Sequence, residues 1–127
     1  MKLLERILLA FSAIVLAIGA WIHTSAFNKM SGAVAKSDLI PFLGKGLKVL
    51  WLQDSTIAVV LAIVFAVAAI RPAAASKPMI VLLALVPLIT AVLTYYFVGN
   101  FFGGHIFLVA GVAAILGALL SPGTKES

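Results

Sequence analysis

The chain contains no cysteine and little charge: nine Lys or Arg and four Asp or Glu among 127 residues, 10% in all. Without cysteine there is neither a disulfide framework nor a thiolate metal site. With 64% of residues hydrophobic, a soluble globular domain is excluded, since such domains are about 25% charged and about 45–50% apolar. Disorder fails on the same figures, because it needs low hydrophobicity and high charge. The basic residues form no patch with interleaved aromatics, so the net charge of +5 does not point to nucleic acid. Lysines at headgroup level near anionic lipid account for it. What is left is an integral membrane protein embedded in a lipid bilayer.

A bilayer core about 30 Å thick takes roughly 20 apolar residues per helix. Four runs have that length: 7–23, 49–70, 79–98 and 102–120. Each is continuous rather than alternating, which favours helices over barrel strands. Arg71-Pro72 stops the second run and Ser121-Pro122-Gly123 the fourth. The basic leader and Thr24-Ser25-Ala26 have the look of a secretory signal. The apolar run exceeds a signal core of about 7–15 residues, so it reads as a span. The expected fold is one all-α four-transmembrane-helix bundle, with a short interfacial helix in the connection 24–46. There Phe27, Met30 and Val34 recur at helical spacing, with Asn28, Lys29, Ser31 and Lys36 opposite. That helix reads either as a lid closing the bundle's end or as a gate over a pocket. Ser37-Asp38, Pro41, Gly44 and Gly46 read as breaks before the second span.

An even number of spans puts both termini on one side. Lys2, Arg6, Arg71, Lys77 and Lys125 would share that side, and Lys29, Lys36, Lys45 and Lys48 the other. The small excess, with the second set diluted along a long connection, favours both termini in the cytoplasm, with insertion in both orientations as the alternative.

Counted from Arg6, Arg71, Lys77 and Ser121, the residues His23, Asp54, Tyr95 and His105 lie 16 to 18 positions into their spans. That is roughly 25 Å along a helix rising 1.5 Å per residue, so the four share a layer. Trp21, Trp51, Tyr96 and Asn100 fall near the same level. Interfacial belts explain the aromatics. A carboxylate belongs to no belt and costs about 2.5–3.5 kcal/mol at a span's centre. Asp54 heads the small-residue ridge Ala58, Ala62, Ala66, which directs it inward. Ser12, Gly19 and His23 share one face of the first helix, making His23 the expected partner of Asp54, with Lys48 as competitor. On the fourth helix Ala110, Gly111, Ala114, Gly117 and Ala118 form the packing face, and His105 projects the other way with Val109, Val112 and Leu116. Pro87 frees a carbonyl about one turn earlier on the third helix. Thr90 and Thr94 either satisfy that carbonyl or flank a kink that opens a cavity. The candidates for ligand binding or proton titration are Asp54, His23, His105, Tyr95, Tyr96, Asn100 and Trp51.

Four classes of function fit this pattern. The expected one is non-enzymatic: a binder of an apolar, lipid-like or quinone ligand, or an accessory subunit of a homo-oligomer or larger membrane complex. It has a polar pocket near the outer face and needs no cofactor or metal. The runner-up is a proton-coupled transporter or ion channel with Asp54, alone or with His23, as the titrating group. A haem protein would use His23 and His105 as axial ligands. A membrane-embedded enzyme would use Asp54 and His23 as an acid–base pair on a lipid or quinone. No nucleophile motif, HExxH helix or phosphate loop is present, which leans against an enzyme. In size and span count the chain is similar to small multidrug transporters and fluoride channels. The turn Asn100-Phe101-Phe102-Gly103-Gly104-His105 loosely resembles a glycine-rich channel turn. A small multidrug transporter is expected to carry a membrane glutamate in its first span, where this chain has only Glu5 at the start. The general look resembles small bacterial four-helix proteins such as the DoxX-like group, which implies the bacterial inner membrane. These resemblances cover architecture rather than residues.

Overall fold

The computed structural model of the protein describes residues 2–120, and the structural statements below concern those residues. Five α-helices follow in order: α1 Lys2–Ser25, α2 Phe27–Ala35, α3 Pro41–Ile70, α4 Lys77–Phe97 and α5 Phe102–Leu120, with a 3₁₀ turn Pro72–Ala74 between α3 and α4. No strand occurs among the described residues. Helices α1, α3, α4 and α5 are long and apolar enough to cross a membrane. The fourth-span stop at Ser121-Pro122-Gly123 lies outside the described residues.

Two helices start earlier than the hydrophobic runs predict. α3 begins about two turns before residue 49, at Pro41. Proline's fixed φ suits the first helical position, where its missing N–H removes nothing the helix needs. The glycines expected to break the chain at 44 and 46 therefore lie inside α3. Gly44 has a packing reason to be there, because a Cβ would come within 2.9 Å of Val34 Cγ1 on α2. The connection thus reduces to α2 and the segment 36–40. α1 begins at Lys2 and includes Glu5, which the hydrophobicity of the chain places before the span. Glu5 is in fact only 3% exposed. α4 begins where expected: Ser76 caps it by accepting from the Met79 N–H at 3.4 Å, and Pro78 sits in its first turn.

Small residues decide which helices touch. α1 lies between α3 and α5, α5 also pairs with α4, and α3 and α4 meet over only a few residues. Against α3, α1 presents Ala13 and Ala20, and α3 answers with Ala58 and Ala62, all buried. Against α5, the hydroxyl of Ser12 is fully buried and donates to the Ala110 carbonyl at 2.7 Å. The face expected on α5 is buried in full: Ala110, Gly111, Ala114, Gly117 and Ala118. The large core side chains Leu9, Phe65 and Ile80 occupy the half nearest the α3–α4 turn, with Leu16 above them near mid-bundle. Arg6 closes that end by donating from Nε to the Ala69 carbonyl at 2.7 Å, one of the last four on α3 that the helix leaves unpaired. The outward faces are aliphatic and exposed, for example Ile14, Ile63, Val92 and Leu119.

α2 has its apolar face half-buried, at Phe27, Met30 and Val34, while Asn28, Lys29 and Lys36 are exposed. It rests on the start of α3 and the end of α1.

Candidate functional site

Away from the core, at the end that carries α2, the helices diverge around a cavity. His23 occupies the last turn of α1. On α3, Trp51, Asp54, Ser55 and Ala58 follow at three- and four-residue steps and so share the face turned toward α1. The His23 ring is consequently held on three sides. It stacks on Trp51 with centroids 4.1 Å apart and planes inclined by 15°. Its Nδ1 lies 2.8 Å from Ser55 Oγ, and its Nε2 lies 3.6 Å from Asp54 Oδ2. The last distance is too long for a hydrogen bond and within range of an ion pair. The indole N–H of Trp51 donates to the His23 carbonyl at 2.8 Å.

With Asp54 ionised, the favourable neutral tautomer carries its hydrogen on Nε2, facing the carboxylate, and its Nδ1 accepts from the Ser55 hydroxyl. When the ring is doubly protonated, Nδ1 donates instead. The Ser55 hydroxyl then turns to the Trp51 carbonyl, 3.4 Å away. One serine therefore serves both states of the histidine. Its buried position beside Asp54 was not singled out from the sequence, although the i, i+4 step from Trp51 was the available signal.

The cavity has a volume of about 380 Å³ and draws lining from four helices. α1 contributes Gly19, Ile22 and His23; α3 contributes Trp51 and Asp54; α4 contributes Thr90 and Thr94; α5 contributes Phe102, Gly103, Ile106 and Phe107. The two threonines do not take the carbonyl freed by Pro87. Thr90 Oγ1 donates to Val86 O at 2.9 Å and Thr94 Oγ1 to Thr90 O at 2.8 Å. A shallower groove runs along the outside of α1 and α3, lined by small and aliphatic residues such as Ala13, Ala17 and Ile63, and it gathers no ionisable group.

Of the seven sequence candidates, the structure brings His23, Trp51 and Asp54 together. Lys48 is not the partner of Asp54; the His23–Asp54 pair is the one ion pair among the described residues. A second cluster forms separately at the α4–α5 turn. Tyr95 Oη lies 2.7 Å from His105 Nδ1, and His105 Nε2 lies 2.8 Å from Asn100 Oδ1. The amide oxygen accepts from Nε2–H, so in the neutral ring Nδ1 accepts from the tyrosine. The Tyr95 ring lies over Gly104, where a Cβ would come within 2.8 Å of it, and the turn passes through Gly99 at φ +89°. This cluster latches the hairpin on the exposed side of α5, opposite the small-residue face. Tyr96 belongs to neither cluster: it is 80% exposed and packs edge-on against Phe97.

The two histidines therefore do not face a common space, and all four of their ring nitrogens point at protein groups. Neither offers a free nitrogen for axial ligation of a haem as placed. Among the described residues no three His, Asp or Glu side chains gather as a metal site would require. Comparison of the chain with protein-family models, with curated proteins and with solved structures found no match in any of the three.

Proposed function

We propose that this is a multi-pass membrane protein that holds an apolar ligand in the cavity beside Asp54, without a chemical step of its own. The observation that carries the reading is the pocket itself. A concave space of about 380 Å³, mostly apolar with a few convergent polar groups, has the size and make-up of small-molecule sites. The exposed aliphatic faces of all four long helices support a lipid surround, since water would not tolerate apolar surface on that scale. A ligand dissolved in the bilayer would reach the pocket sideways, between α3 and α4, because these two helices pack on α1 and α5 rather than on each other.

The pocket is tested by what travels with the protein. Purified in lipid nanodiscs and extracted for mass spectrometry, the wild type should retain an apolar compound that Thr90→Phe, which fills the space, does not. Thr90→Ser keeps the space open and should retain it. Equal retention by a folded Thr90→Phe protein would remove the proposal.

The absence of cysteine makes topology directly measurable. Asp38→Cys and Asn100→Cys, at the end that carries α2, should react with an impermeant maleimide on intact cells. Ala74→Cys, in the opposite turn, should react only after permeabilisation. Equal labelling of all three without permeabilisation would contradict a spanning arrangement.

A further inference from the structure

Resting on the pocket reading above, we infer that the cavity selects a lipophilic cation: an apolar body whose single polar end is an ammonium group. To a ligand the lining offers acceptors rather than donors. Its indole and hydroxyl donors are already spent: the Trp51 indole N–H is on the His23 carbonyl, and the hydroxyl hydrogens of Thr90 and Thr94 are on their own helix. Nε2 of His23 is turned toward Asp54 at 3.6 Å. What these groups leave toward the cavity is acceptors: the Asp54 carboxylate and the lone pairs of both threonine oxygens.

Asp54 is the most demanding of these. Its side chain is 38% exposed, and among the described residues no hydrogen bond reaches it. Nε2 of His23 stands 3.6 Å from one oxygen, beyond hydrogen-bond distance, so the carboxylate retains capacity for a donor. No lysine or arginine lines the cavity. Its remaining walls include Phe101, Phe102 and Phe107. Aromatic faces attract a cation through the ring quadrupole, and more strongly where water is excluded. Carboxylate, hydroxyl acceptors and aromatic walls together favour a positive end group and penalise a negative one. One feature opposes this choice of sign: Phe102 and Gly103 also begin α5, and the first N–H groups of a helix lack intrahelical partners. The carboxylate probe below decides between them and Asp54.

Three probes share one body and differ in the end group: phenylbutylamine, phenylbutanol and phenylbutanoate. Each is titrated calorimetrically at neutral pH into nanodiscs bearing the protein, with empty nanodiscs subtracted. The amine should bind about tenfold or more tighter than the alcohol, and the carboxylate should not bind measurably. Asp54→Asn should bring the amine down to the level of the alcohol while leaving the alcohol unchanged, which shows the pocket intact. Phe102→Leu, on α5 and making no hydrogen bond to the His23 pair, should weaken the amine several-fold and the alcohol less, and it serves if Asp54→Asn does not fold. Equal binding of amine and alcohol, or tightest binding of the carboxylate, overturns the ligand class and leaves the pocket standing. Binding of none of the three overturns the pocket with it.

Discussion

Replacement of Trp51 by leucine should cost about 2–3 kcal/mol of stability, below the roughly 3–5 kcal/mol of a fully buried tryptophan truncation because the side chain is only half-buried. The size of the effect follows from two contacts made at once. The indole face stacks on His23, and the indole N–H caps the last turn of α1 at the His23 carbonyl. That carbonyl is one of four the helix cannot pair for itself. At the far end of the same helix pair Arg6 does the reverse, capping α3 from α1. The antiparallel pair is thus clamped reciprocally at both ends, and Trp51→Leu opens the end beside the cavity. Trp51→Phe retains a ring to stack and removes only the N–H, so it should lose about 1 kcal/mol. Unfolding in mixed micelles, followed by circular dichroism, ranks the three proteins. A leucine variant as stable as the wild type would show that the stack and the cap carry no weight. Leucine frees the His23 ring and should weaken ligand binding, whereas phenylalanine keeps the stack and should weaken it less.

The parts of this arrangement that follow from periodicity were legible in the sequence. Continuous apolar runs locate the four long helices, and the ridge from Asp54 through Ala58 and Ala62 locates the face of α3 that meets α1. The common depth of His23 and Asp54 follows from helical rise alone. Rise says nothing about azimuth, however. Four residues at one depth separate here into two clusters on different sides of α5, because His105 lies opposite the glycines and alanines that pack. Helix ends were also hidden. A hydropathy run ends where charge begins, whereas α1 carries Glu5 and Arg6 within its first turns and α3 carries Lys45 and Lys48 within its own. Gly44 reads locally as a breaker, and only the approach of Val34 shows why the helix keeps it. The cavity itself depends on α3 and α4 failing to meet. That is a property of helix order in space, and no residue in either helix announces it.

The tightest glycine contact lies between α4 and α5, and its disruption should be the most damaging change to the fold. At Gly111 a Cβ would stand 2.6 Å from Leu88 Cγ, 2.7 Å from Leu88 Cδ2 and 3.2 Å from the Ala84 carbonyl. Leu88 could turn away, but a backbone oxygen moves only with its helix. Gly111→Val should therefore push α4 off α5 and cost about 3 kcal/mol, the upper part of the range for overpacking. Gly111→Ala should cost roughly 1–2 kcal/mol by the same route. Gly46, inside α3 with nothing within 4 Å of its would-be Cβ, supplies the control. There alanine should stabilise by about 0.5–1 kcal/mol, since glycine in a helix interior loses that much to backbone entropy. Because α4 carries Thr90 and Thr94, its displacement also moves one wall of the cavity, so Gly111→Ala should weaken ligand binding even where the protein remains folded. Denaturation of the three variants, with probe binding measured on each, separates the two effects. Gly111→Val matching the wild type in stability would mean that α4 and α5 do not pack at this distance, and the α4 wall of the pocket would then be misplaced.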